Sequence, residues 1–81
     1  MDYYLLLARS VTRAQKMDAE LRRRGIRADL VRPPLQLSEK GCAYALRLSA
    51  RRFSAAMHIL EASGLAPARV FHYYGEGYEE L

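Results

Sequence analysis

Two stretches of the chain carry the same punctuation. Ser10 opens a run of helical apolar spacing that stops at Gly25, and Ser49 opens another that stops at Gly64. Each Ser-to-Gly separation is fifteen residues, and the two units are offset by thirty-nine. A serine hydroxyl accepts from an otherwise unpaired first-turn amide, and a glycine after the last turn takes the left-handed conformation without strain. The interiors follow the same rule, with Ala14, Met17 and Leu21 in the first unit and Phe53, Ala56, Met57 and Leu60 in the second. On that offset Ala14 aligns with Phe53, Met17 with Ala56, and Leu21 with Leu60. Small and large residues exchange places, as expected of two helices that lie side by side and fill one volume.

The segments between the helices read as strands. Tyr3 to Ala8 is nearly all apolar, the mark of a central strand buried on both faces. Ile26 to Leu30 alternates, which places Ile26, Ala28 and Leu30 toward the helices. Cys42 to Leu48 and Arg69 to Tyr74 complete the set, and Pro33-Pro34 ends the second strand because a proline ring supplies no ladder amide. The spacing predicts an α+β fold, a ferredoxin-like βαββαβ with a four-stranded antiparallel sheet and two helices on one face. The chain of 81 residues forms one domain, 1–81, with 75–81 a frayed or partner-bound tail. Few charges beyond Arg27, Asp29 and Arg47 fall on the outer sheet face, so an open face and a homodimer through it are expected.

Composition narrows the function classes. One cysteine makes no internal disulfide, and the apolar run at Tyr3 to Ala8 is too short for a leader or a span, so a cytoplasmic domain without membrane contact is expected. The net charge of +4 invites a nucleic-acid partner. Much of it sits in Arg22-Arg23-Arg24 at a helix end, where cations complement the helix dipole, and in Arg51-Arg52 at a helix start. Cys42, His58 and His72 lack the spacing of a metal motif, and no phosphate-cradling glycine loop or nucleophile–base–acid set assembles. No cofactor or metal is expected, and a self-sufficient enzyme is the less favoured class.

The chemistry that remains centres on SEKGCAYALRL, residues 38–48. Cys42 has two readings. It is either a small core hydrophobe, the common role of a free cysteine, or a thiol at a strand mouth. In the second reading Lys40 and Arg32 favour the thiolate, and Gly41 lets another molecule approach the backbone. The run Lys40-Gly41-Cys42-Ala43-Tyr44-Ala45 also approaches an RNA-recognition motif, with cysteine where a stacking ring belongs. Parity opposes that use. It would turn Leu46 and Leu48 to water at a cost of about 1.5–3 kcal/mol each. An RNA-binding, small-ligand or oligomerisation module, with Tyr3, Tyr4, Tyr44, Tyr73 and Tyr74 as contact rings, is the alternative.

Two stretches, YYLLLARSVTRAQKMDAELRRRGI and LVRPPLQLSEKGCAYALRL, resemble a small bacterial family of selenium/sulfur carrier-like proteins. The resemblance runs from the first strand to the fourth and sets Pro33 or Pro34, Ser38 and Cys42 on that family's loop motif. It departs at one place, where Ala43 follows Cys42 and the glycine precedes it as Gly41. It implies that Cys42 carries the chalcogen as a persulfide or selenylsulfide, with Ser38 in support; the charges of Lys40 and Arg32 and the small backbone of Gly41 add to that support from the residues themselves. It further implies a protein donor such as a cysteine desulfurase.

Overall fold

A computed structural model describes residues 2–37 and 44–81. The elements are β1 (Tyr3–Ala8), α1 (Val11–Arg23), β2 (Asp29–Val31), β3 (Tyr44–Ser49), a short 3-10 turn (Ala50–Arg52), α2 (Phe53–Ala62), β4 (Arg69–Tyr73) and β5 (Tyr78–Glu80). They build one antiparallel sheet in the order β2-β3-β1-β4-β5. Where four strands were expected, the described residues form five. Residues 75–81 are not a frayed tail, because β5 pairs with β4 and sets Phe71 opposite Glu80, His72 opposite Glu79, and Tyr73 opposite Tyr78. Gly75, at φ 99°, makes the reversal possible, and the Tyr74 amide closes it on the Gly77 carbonyl at 3.2 Å.

The central strand is the one expected. β1 lies between β3 and β4, and its side chains serve two cores in alternation. Leu6 and Ala8 join Ala14, Met17, Leu21, Ala56, Leu60, Leu46 and Leu48 in the cluster beneath both helices. Leu5 and Leu7 join Ala45, Phe71 and Leu37 on the opposite face. Leu46 and Leu48 thus point at the helices, as the parity of β3 requires.

Both helices stop in the same way. The Ile26 amide reaches the Leu21 carbonyl at 2.8 Å and the Gly25 amide reaches Arg22 at 3.0 Å. One repeat later, Leu65 reaches Leu60 at 2.8 Å and Gly64 reaches Glu61 at 3.3 Å. Gly25 (φ 84°) and Gly64 (φ 72°) take the left-handed position that this pair of bonds demands. In each case the next residue, Ile26 or Leu65, packs on the helix-side core beside the leucine that accepts its bond.

The starts differ. Ser10 Oγ accepts the Arg13 amide at 3.1 Å, the expected cap. Ser49 makes no such bond, because it is the last residue of β3 and the 3-10 turn of Ala50–Arg52 separates it from α2. The second strand is also shorter than its alternating sequence suggested. Ile26 and Ala28 are buried before β2 begins, and Leu30, opposite Leu46, is 39% exposed because β2 is an edge strand. β3 is described from Tyr44 onward, so the expected start at Cys42 lies outside the described residues.

The outer face is not open. Leu5, Leu7, Ala45 and Phe71 are each at most 5% exposed there, packed with Leu37 from the loop after β2. Tyr3, Tyr73 and Tyr78 fill the far end of that face: the Tyr3 and Tyr73 rings stack at 4.6 Å, and the Tyr3 and Tyr78 hydroxyls share a hydrogen bond of 3.1 Å. Burial, with the bond to Tyr3 second, pushes the Tyr78 hydroxyl up to about 12. Arg47 lies over Tyr3 and pairs with Asp29 across the β2–β3 ladder at 3.0 Å.

Candidate functional site

Strand pairing decides which groups share an end of the sheet. Ala8 at the end of β1 faces Tyr44 at the start of β3, Leu7 faces Arg69 at the start of β4, and Val31 at the end of β2 faces Ala45. The 38–43 segment, with Ser38, Lys40, Gly41 and Cys42, joins the fold at this end. Those four candidate residues lie outside the described residues. Their anchors on either side are described.

Upstream, the chain leaves β2 at Arg32, whose guanidinium lies over the Tyr44 ring, 5.3 Å from its centre. Arg32 is therefore held against the residue two positions after Cys42. Pro33 is buried, and the Pro34 carbonyl accepts the Leu37 amide at 2.9 Å, turning the chain back toward the sheet. Leu37 then enters the outer core at 7% exposure. Downstream, Tyr44 packs on the helix-side core. The described anchors on either side of residues 38–43, Leu37 and Tyr44, thus pack on opposite faces of the sheet.

Arg69 ties the upstream anchor down. Its Nη1 donates to the Leu37 carbonyl at 3.3 Å, and its Nε and Nη2 grip the Glu80 carboxylate at 2.8 Å each. Its guanidinium also lies 4.9 Å from the centre of the Phe71 ring. The hydrogen bonds from Arg69 hold the Glu80 carboxyl below the usual carboxylate range. One side chain thereby links the proline loop, β4 and the C-terminal strand. Nothing in the sequence marked Arg69 as special, because its partner Glu80 lies in the segment expected to be a loose tail.

The other charged and aromatic candidates are engaged elsewhere. Arg22 pairs with Asp18 at 3.0 Å, Arg23 with Glu20 at 2.7 Å, and Arg24 with Glu20 at 3.6 Å, so this basic run is compensated within its own helix. The Arg23 bond in turn lowers the Glu20 carboxyl from its ordinary value. His58 is exposed on α2. His72 Nε2 sits 3.2 Å from Asp2, and its ring stacks on Tyr4, which stacks on Phe53. Among the described residues, no three acidic, histidine or cysteine side chains gather as a metal site. Of the five tyrosines with a possible stacking role, Tyr4 and Tyr44 lie on the helix side, and Tyr3 and Tyr73 stack on each other. Those four rings already pack within the fold.

Among the described residues, no helix is long and apolar enough to cross a membrane. No curated protein and no solved structure matches the chain. A family model does match, over residues 3–72, which takes in β1, β2, the 38–43 segment and β3 whole, and β4 as far as His72. The chain belongs to the family described as "Putative Se/S carrier protein-like".

Proposed function

We propose that the protein is a small chalcogen carrier in which Cys42 is the sulfur- or selenium-bearing residue. The observation that carries this reading is the family match, which spans the only cysteine of the chain. In the reaction, the Cys42 thiolate attacks the outer sulfur of a donor persulfide, such as that of a cysteine desulfurase. The donor S–S bond breaks, its electron pair returns to the donor thiolate, and a persulfide forms on Cys42 with no net oxidation. A selenium donor gives the selenylsulfide by the same exchange. Delivery is the reverse, with an acceptor nucleophile taking the terminal atom. The protein acts as a co-substrate between two partners, not as an enzyme, and a reducing cytoplasmic setting suits a thiol that must remain free.

The described anchors support this reading. Arg32 is held over Tyr44 at the start of β3, two residues after Cys42 in the chain, and a cation near a thiol favours its thiolate. Arg69 holds Leu37, the described residue that precedes the segment. Glycine at 41 and serine at 38 are the residue types this reading assigns to supporting roles. The test is incubation with a cysteine desulfurase and cysteine, followed by intact mass measurement. A single sulfur adduct on the wild type, absent from Cys42→Ser, is expected. An unmodified wild type, or the same adduct on Cys42→Ser, overturns the reading.

A further inference from the structure

Beside the end of β1 lies an open cleft of about 420 Å³, lined by Ala8, Arg9, Arg13, Ala66, Pro67 and Ala68. Its floor is alanine and proline, and its polar wall is two arginines. The Arg13 Nη2 donates to the Gly64 carbonyl at 2.9 Å, which holds the guanidinium between the first turn of α1 and the loop that leads to β4. The backbone of that loop is fixed in turn, because the Ala68 amide donates to the Leu7 carbonyl at 2.8 Å. The cleft is therefore bounded by two segments that are each hydrogen-bonded in place.

Its charge is unbalanced. Arg22, Arg23, Arg24, Arg47 and Arg69 each sit within 4.0 Å of a carboxylate. Among the described residues, Arg9 and Arg13, like Arg27, Arg32, Arg51 and Arg52, have no such partner, but these two line one cleft, and the first turn of α1 contains no acidic side chain. Two cations facing a concave space raise the local concentration of anions more than the same charges on a convex surface. The volume lies in the range of small-molecule pockets, well short of what a folded partner would need.

We propose that this cleft binds the anionic group of a small molecule, a carboxylate or a phosphate, with Arg13 as the fixed ligand and Arg9 as the second cation. Arginine suits the task because its planar fork meets both oxyanions with two parallel hydrogen bonds. Ala8, in the floor, pairs with Tyr44, so the bound molecule sits at the sheet end where the Cys42 segment joins. The site goes beyond the carrier reading and does not require the thiol.

The test is a titration of the full chain, nitrogen-labelled, with sodium phosphate in one arm and sodium acetate in the other, at ionic strength held constant with sodium chloride. Saturable shifts at the amides of Ser10 to Arg13, Ala66 and Ala68 are expected, and the tighter arm names the anion class. Arg9→Gln and Arg13→Gln should each weaken binding about tenfold. Arg9 is exposed, so its variant keeps the fold even if loss of the Gly64 contact disturbs Arg13→Gln. Cys42→Ser should bind as the wild type does, which separates failure of this site from failure of the carrier reading. Shifts that never saturate, or that appear equally around Arg51 and Arg52 and persist in Arg9→Gln, overturn the proposal.

Discussion

The two faces of the sheet are built by different means. On the helix face, eleven buried residues among those described, from β1, β3, both helices and the chain before β2, form one cluster. On the outer face, five of the described residues form a smaller buried cluster, closed by a loop leucine and flanked by tyrosines. The helix face is closed by regular structure, each helix laying down apolar residues at the same offset. The outer face is closed by the proline loop and the β4–β5 hairpin, both held by Arg69. The contrast separates what makes the domain stable from what positions the candidate site. The loop that covers the second core is the one that leads to Cys42.

Truncation of a leucine on each face gives the largest expected effect and the sharpest test of that contrast. Leu60→Ala, at 0% exposure beneath the helices, should cost about 4 kcal/mol of stability in denaturant unfolding. Leu37→Ala, at 7% exposure under one loop, should cost about 2 kcal/mol and also speed alkylation of Cys42 in the folded protein. If Leu37→Ala leaves the alkylation rate unchanged, the loop does not control the thiol. Next in size are the helix stops. Gly25→Ala and Gly64→Ala both force a side chain into the left-handed region with open space around it, and each should cost about 1–2 kcal/mol. Equal losses would support the repeat as a structural unit. The helix starts should differ: Ser10→Ala is expected to cost about 1 kcal/mol, whereas Ser49→Ala, with no cap bond to lose, should stay within about 0.5 kcal/mol.

The smallest effects are those of pH on the outer face. The lowered Glu80 carboxyl contributes stability that is present above the ordinary carboxylate value and lost as pH falls through the folded value. The raised Tyr78 hydroxyl contributes stability that is full below 10.0 and lost as pH rises through about 12. Glu20 adds an acid loss of its own next to the helices, so only the alkaline limb is diagnostic of the outer face. Unfolding midpoints measured across alkaline pH should fall in the wild type and much less in Tyr78→Phe. An equal fall in both would remove the tyrosine cluster from the explanation.

These contrasts also show what was legible in the sequence. Helix periodicity, Gly25 and Gly64 were local signals, and the matching bonds of Ile26 and Leu65 follow from them. The parity of Leu46 and Leu48 was equally plain, because exposing either costs too much. Ser49 misled because a cap residue looks the same in sequence whether an α-helix or a 3-10 turn follows it. β5 was missed because Tyr78-Glu79-Glu80 shows little apolar alternation, and what holds it is pairing with β4 and the Arg69–Glu80 bridge. The outer face read as open because the residue that closes it, Leu37, comes from a loop. Of the candidate site, the thiol and its basic neighbours were visible as residue types. The anchoring role of Arg69 and the cleft at Arg9 and Arg13 depend on contacts between distant segments, which local spacing does not encode.

The central claim is that the Cys42 sulfur can meet another molecule while both cores stay intact. Its most direct test is the rate at which a small alkylating reagent modifies Cys42 in the native protein, compared with the same protein in denaturant. Modification of the native protein far faster than its global unfolding allows is predicted, with unchanged far-ultraviolet circular dichroism. A thiol that resists the reagent until the domain unfolds would contradict it.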